Sequence, residues 1–164
     1  MFSVRALVSV RSIALLSLTC VLAACASSSE SSGPAADPVG TVTSAIRIQG
    51  QGAFLIDFDP GAVTSINSGG ASDLYLDANV NFIVGPQVPV GQQPRRIASL
   101  GAVSGLGAVT TVPTAGLVVS LGAIAGHGYV VTDNGRNWRV YVTSLITSAT
   151  SGGVIGVNIK WAAL

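Results

Sequence analysis

Cysteine is absent from this chain after position 25. The two it has, Cys20 and Cys25, both fall in the first 25 residues. A downstream domain therefore has no disulfide, no catalytic thiol and no cysteine-based metal site. Histidine and methionine are almost missing too, as His127 and Met1 alone. A structural zinc site needs about four ligands, and one histidine cannot supply them. Charge is equally scarce: eight Lys and Arg and seven Asp and Glu in 164 residues. Setting aside Arg5 and Arg11 in the leader leaves six bases against seven acids, a net charge near −1. That balance offers no basic patch and argues against nucleic-acid binding. No G-x-S-x-G nucleophile turn occurs, and Ser104 in "GAVSGLG" does not fit one. The same stretch lacks both the G-x-G-x-x-G spacing and the Lys-Ser/Thr of a phosphate loop. No cofactor is implied. Long helical periodicity is missing as well.

The N-terminus is more informative. Residues 1–11 carry Arg5 and Arg11 and no acid, and residues 12–24 are uncharged and rich in Leu, Ala and Val. A positive region followed by a short apolar one is the layout of a secretory signal peptide, too short to be a stable span. Its end, Leu22-Ala23-Ala24-Cys25, resembles the lipobox of bacterial lipoproteins. A Cys20–Cys25 disulfide within an apolar leader would serve no folded core. The resemblance implies cleavage before Cys25, lipidation of its thiol, and attachment to the cell envelope through two or three acyl chains, enough for stable anchoring. Ala26 rather than Asp follows the cysteine. By the same resemblance, that points to the outer membrane in a Gram-negative host. Residues 25–40 then form a lipidated cysteine and a Ser-, Gly- and Pro-rich disordered tether, with few apolar groups to bury.

Residues 41–164 are expected to form a single all-β domain, an antiparallel sandwich or small barrel ending in a meander. Period-2 alternation recurs. Phe54, Ile56 and Phe58 share one face, and Pro60-Gly61 turns the chain. Leu74 and Leu76 alternate with Tyr75 and Asp77, and Val80, Phe82 and Val84 alternate with Asn81 and Ile83. "GYVVTDNGRNWRVYVT" holds two strand-like runs around Asn134-Gly135, the strongest short hairpin signal. Val157, Ile159 and Trp161 share a face in a final strand. "GPQVPVGQQP" is a loop, and a short helix is expected within residues 94–103. The interval from Arg96 to Asp133 has no internal charge. Pro113 and repeated Gly make two buried strands a better reading than a membrane span, and such a segment could also self-associate.

"DFDPGAV", "SDLYLDANVNFIVG" and "GYVVTDNGRNWRVYVTS", followed by a last strand ending in an aromatic, resemble the secreted β-rich lipoprotein domains of the HmuY type. The resemblance implies an all-β lipoprotein fold. Haem capture in that family uses paired histidines or methionines, and His127 alone cannot form such a pair.

Few residues could carry chemistry. Asp57 and Asp59 lie two apart on one strand face, and Asp73 and Asp77 flank the next strand. If those strands pair, the four acids become candidate calcium ligands or the carboxylates of a carbohydrate-active hydrolase. The plainer reading is Asp at strand ends and turns. Trp138, Tyr141, Trp161 and His127 are candidate ligand-binding residues, with core or loop roles as the plainer alternative. Arg95-Arg96 is expected to be a solvated surface pair. With no catalytic constellation, the expected function is that of a non-enzymatic envelope lipoprotein that binds a small ligand or an envelope protein.

Overall fold

The structure, a computed structural model, describes residues 35–58, 62–64, 73–85, 94–133 and 135–164. Cys25, Asp59, Pro60, Asn134 and the "PQVPVGQQ" loop lie outside the described residues. Among the described residues ten strands follow in order: β1 (Val42–Arg47), β2 (Leu55–Asp57), β3 (Ala62–Thr64), β4 (Leu74–Leu76), β5 (Asn81–Val84), β6 (Arg96–Ala102), β7 (Ser120–Gly122), β8 (His127–Asp133), β9 (Arg136–Thr147) and β10 (Val154–Ala163). A single 3₁₀ turn, η1 (Leu106–Ala108), separates β6 from β7. No helix among these residues is long and apolar enough to cross a membrane.

The strands make two antiparallel sheets, ordered β1-β10-β9-β8-β6 and β3-β2-β4-β5-β7. The expected sandwich is therefore present, the sheets do not close into a barrel, and β8-β9-β10 is the expected meander. The alternation read in the sequence drives this arrangement. Val157, Ile159 and Trp161 on β10 sit opposite Ile46, Val142 and Val140 on neighbouring strands, and all six are buried. Tyr129 stands opposite Val140, and Val131 opposite Ile97, continuing one inward face across the sheet. A one-residue slip would turn that whole set toward water. β8 and β9 form the expected hairpin, with Asp133 paired to Arg136 and Gly135 at φ 81°.

Aromatic rings join the two sheets. Phe58, just after β2, stacks on Trp138 at 5.1 Å and 16°, and meets Trp161 edge-on at the same centroid distance. Phe82 on β5 meets Tyr129 on β8 at 5.1 Å and 82°. The Tyr129 hydroxyl donates to Gly122 O (2.7 Å) and accepts from Ile124 N (2.9 Å), which ties the β7–β8 corner to the core.

One local expectation is corrected, and two further details of the chain stand beside it. The helix expected within residues 94–103 is strand β6 instead, because Ile97 and Ala98 are buried on opposite faces of one sheet. Ile97 packs into the sandwich, while Ala98 joins Val130, Leu106 and Val109 in a second apolar layer on the outer side. The chain returning from β6 forms that layer, and it accounts for much of the uncharged interval. Gly128 sits directly beneath it: a Cβ there would lie 2.6 Å from Val109 Cγ2. Next, Val80 lies just before β5 and still packs against the core with Phe82 and Val84, as the alternation predicts. It sits in the β4–β5 turn at φ 60°, a conformation uncommon for any β-branched residue. Asp77 holds that turn by accepting from Asn79 N, Asn81 N and Asn81 Nδ2 at 2.8–3.0 Å. Lastly, residues 35–40 lie against the sandwich. Pro38 O accepts from the Thr41 amide (3.2 Å) and hydroxyl (2.6 Å), and Lys160 pairs with Asp37.

Candidate functional site

The second sheet presents its outer face where β4 and β5 pair. Leu74, Leu76, Phe82 and Val84 point into the core, so Tyr75 and Ile83, paired across the strands, point away from it. Val119 lies beside them and is 54% exposed. These three side chains line the apolar part of a cavity of about 320 Å³, and Arg95 and Arg96 line another side of it.

The two arginines differ in kind. Arg95 is drawn inward between the sheets. Its Nη2 lies 3.0 Å from Asp73 Oδ1 and its Nε 3.0 Å from Asp133 Oδ1. Asp73 opens β4 in one sheet and Asp133 closes β8 in the other. Asp73 is only 4% exposed, and its Oδ2 accepts the Phe58 amide at 2.7 Å. Burial pushes its pKa up to about 6, although the Phe58 amide and the Arg95 charge pull the other way; Asp133 and Asp57 add to the rise. The expectation of a solvated Arg95-Arg96 pair is therefore wrong for Arg95, whose side chain is 11% exposed. Arg96 donates to Arg95 O at 2.7 Å and meets no carboxylate among the described residues. A partly buried guanidinium with no carboxylate partner among the described residues, beside apolar side chains, is suited to an anionic group.

The aspartates singled out in the sequence are partly separated. β2 and β4 do pair, and Asp57 is close enough to Asp73 to influence its titration. Asp77 sits at the far end of β4, four residues and about 13 Å along the strand from Asp73, engaged in its own turn. Burial pushes the Asp77 pKa up, but the hydrogen bonds from Asn81 and Asn79 together outweigh it and the pKa is lowered. Among the described residues no group of three or more His, Cys, Asp or Glu could hold a metal ion. Asp59 lies outside them.

The four candidate ligand residues do not converge. Trp138 and Trp161 belong to the inter-sheet aromatic cluster, 6.0 Å apart and in contact with Phe58. Trp161 is 3% exposed, and its Nε1 donates to Ser44 Oγ. Tyr141 is on the outer face of the first sheet, opposite Gly128. His127 starts β8, paired with Ala102. A second cavity, about 420 Å³, borders Tyr141, Lys160, Ser104 and residues 35–37 on that outer face.

Sequence reasoning missed Arg95 as the cation between the sheets and Tyr75, Ile83 and Val119 as the groove. The one signal available was Asp73, an acid opening an apolar strand. No family model matches this chain, and no curated protein matches it.

Proposed function

We propose that this chain is a bacterial envelope lipoprotein, anchored by acyl chains on Cys25, whose sandwich is a non-enzymatic binding module. In a Gram-negative host its place is the outer membrane. The bound species is a small organic anion with an apolar body. The observation that carries this reading is Arg96, a cation without a carboxylate among the described residues, set beside Tyr75, Ile83 and Val119. An apolar wall with one fixed charge is the usual composition of a small-molecule site. The charge sets orientation and the wall supplies most of the affinity. Asp73 and Asp133 neutralise Arg95 from behind and hold the Arg95-Arg96 backbone in place. The lipobox sequence supports the anchor.

Native mass spectrometry of the lipidated protein, extracted from its own membrane in mild detergent, tests the binding reading. A discrete small anionic adduct is expected, and Arg96→Ala should lose it with the fold intact by circular dichroism. A bare protein, or an adduct indifferent to Arg96→Ala, overturns the reading. The anchor is tested separately. Cys25→Ala should remain an unprocessed precursor without acyl mass, and normal processing of that variant overturns it.

A further inference from the structure

We propose that the Arg96 groove takes up its anion together with a proton, and that Asp73, paired with Arg95 beneath the groove, receives that proton. This deepens the binding-module reading above and rests on it.

Arg95 belongs to both places. It lines the groove beside Arg96. Its guanidinium also lies between two carboxylates, with Nη2 3.0 Å from Asp73 Oδ1 and Nε 3.0 Å from Asp133 Oδ1. Asp73 reaches the groove by a second route. Its carbonyl oxygen accepts the Gly85 amide at 3.1 Å, and Tyr75 stands two residues further along β4. Gly85 and Tyr75 both line the cavity.

The charges around Asp73 do not balance. With both carboxylates ionised, Asp73, Arg95 and Asp133 carry one positive charge against two negative ones. One proton on Asp73 brings the trio to neutrality. The neighbouring elements add little to offset the excess. β2 brings another acid, Asp57. β5 carries no charged residue. Arg47 is the one charged residue of β1, which comes near β4. On β9, Arg136 is paired opposite Asp133. Asp77 is engaged in its own turn at the far end of β4, and His127 lies at the opposite end of β8 from Asp133. Burial pushes the Asp73 pKa up to about 6, the Phe58 amide and the Arg95 charge pull it down, and Asp133 and Asp57 add to the rise. The proton is therefore exchanged within the range of ordinary working pH.

An anion held by Arg96 adds negative charge beside this trio. In a partly buried setting that charge acts on Asp73 through a dielectric well below that of water. Protonating Asp73 removes the repulsion and lets more of the Arg95 charge bear on the groove. Anion and proton then favour each other's binding, and the coupling is equal in both directions. Affinity rises as pH falls through 6 and levels off once Asp73 is protonated with and without the anion. A coupling of this kind gives a gain of about fivefold.

The probe is p-toluenesulfonate, an aromatic anion whose own charge is constant across the range, so that only the protein titrates. Titration calorimetry on the full lipidated protein in nonionic detergent, with detergent-only runs subtracted, gives its Kd at pH 7.5 and pH 5. Runs at pH 6.5 in two buffers of different ionisation enthalpy give the protons taken up per anion bound. The Kd should be about fivefold lower at pH 5, and part of a proton should be taken up at pH 6.5. Asp73→Asn, a neutral isostere, should bind at pH 7.5 as wild type does at pH 5, with no uptake. Should Asp73→Asn fail to fold, Asp133→Asn is the second variant. It leaves Arg95 to Asp73 alone and should move the pH dependence to lower pH. Arg96-dependent binding without pH dependence or proton uptake overturns the coupling. Uptake that persists in Asp73→Asn, or a pH dependence unmoved in Asp133→Asn, overturns Asp73 as the acceptor. Failure of the groove reading looks different: p-toluenesulfonate would not bind at either pH, or would bind equally to Arg96→Ala.

Discussion

Asp73 and Arg95 show how a single carboxylate couples stability to pH. The Asp73 pKa stands raised from 3.8 to about 6, so between those values the folded chain holds a proton that the unfolded chain has released. The sign follows from linkage: this group's contribution is most favourable below about pH 4, declines as pH climbs through 6, and is flat beyond. Its full span is about 3 kcal/mol. Urea unfolding from pH 4 to 7 should show this component, and Asp73→Asn should flatten it. Arg95→Met should cost about 3–5 kcal/mol at pH 7 by stranding buried carboxylates, and less at pH 5, where Asp73 can protonate. A loss independent of pH would contradict the assignment. Asp77 behaves in the opposite sense. Its lowered pKa gives a contribution present above the unfolded value and lost as pH falls. Asp77→Ala should cost about 1–2 kcal/mol through the turn it holds, read in the same denaturant series.

At the scale of elements, the parts legible in the sequence were those whose partners are local. The β8–β9 hairpin follows from Asn134-Gly135 and the alternation around it, and the final strand from Val157, Ile159 and Trp161. β6 was not legible as a strand. Its Ile97 and Ala98 are buried in two different layers, so no clean alternation remains, and the covering residues Leu106 and Val109 arrive from a loop. Arg95 was misread for a related reason: its two carboxylates come from distant strands in different sheets. The groove was illegible because Tyr75, Ile83 and Val119 become neighbours only after β5 pairs with β7. The outer layer has its own test. Gly128→Ala would drive a methyl into Val109 and should cost about 1–3 kcal/mol by overpacking. Combining it with Val109→Ala should recover part of that loss, measured as a non-additive double-mutant cycle.

For the whole molecule, the aromatic cluster ties the two sheets through side chains. Phe58 touches both tryptophans from the opposite layer. Phe58→Ala should therefore destabilise the entire domain by about 3–5 kcal/mol and shift tryptophan emission to longer wavelength in the folded state. An unchanged spectrum would mean that the two indoles are not shielded by that ring. The all-β sandwich expected from the sequence is the observed architecture, since inward residues repeat on nearly every strand. Which sheet edges lie together could not be read, because that depends on the crossovers.

Those crossovers sew one side of the sandwich more closely than the other. Val118 exchanges both backbone hydrogen bonds with Ile97 of the first sheet, and Val119 O accepts from Val84 of the second. The segment leading into β7 is thus a spine joined to both covers of a book. At the fore-edge, where β1 comes near β3 and β4, the Arg47 amide donates to Ala53 O (2.8 Å) in the segment leading into β2. Native-state hydrogen exchange should find the slowest amides at Ile97, Val118 and Val84 and earlier opening along β1. The molecule would then breathe by swinging about its spine. The Arg96 groove, which Val119 lines, sits on the spine and would keep its shape while the far edge opens.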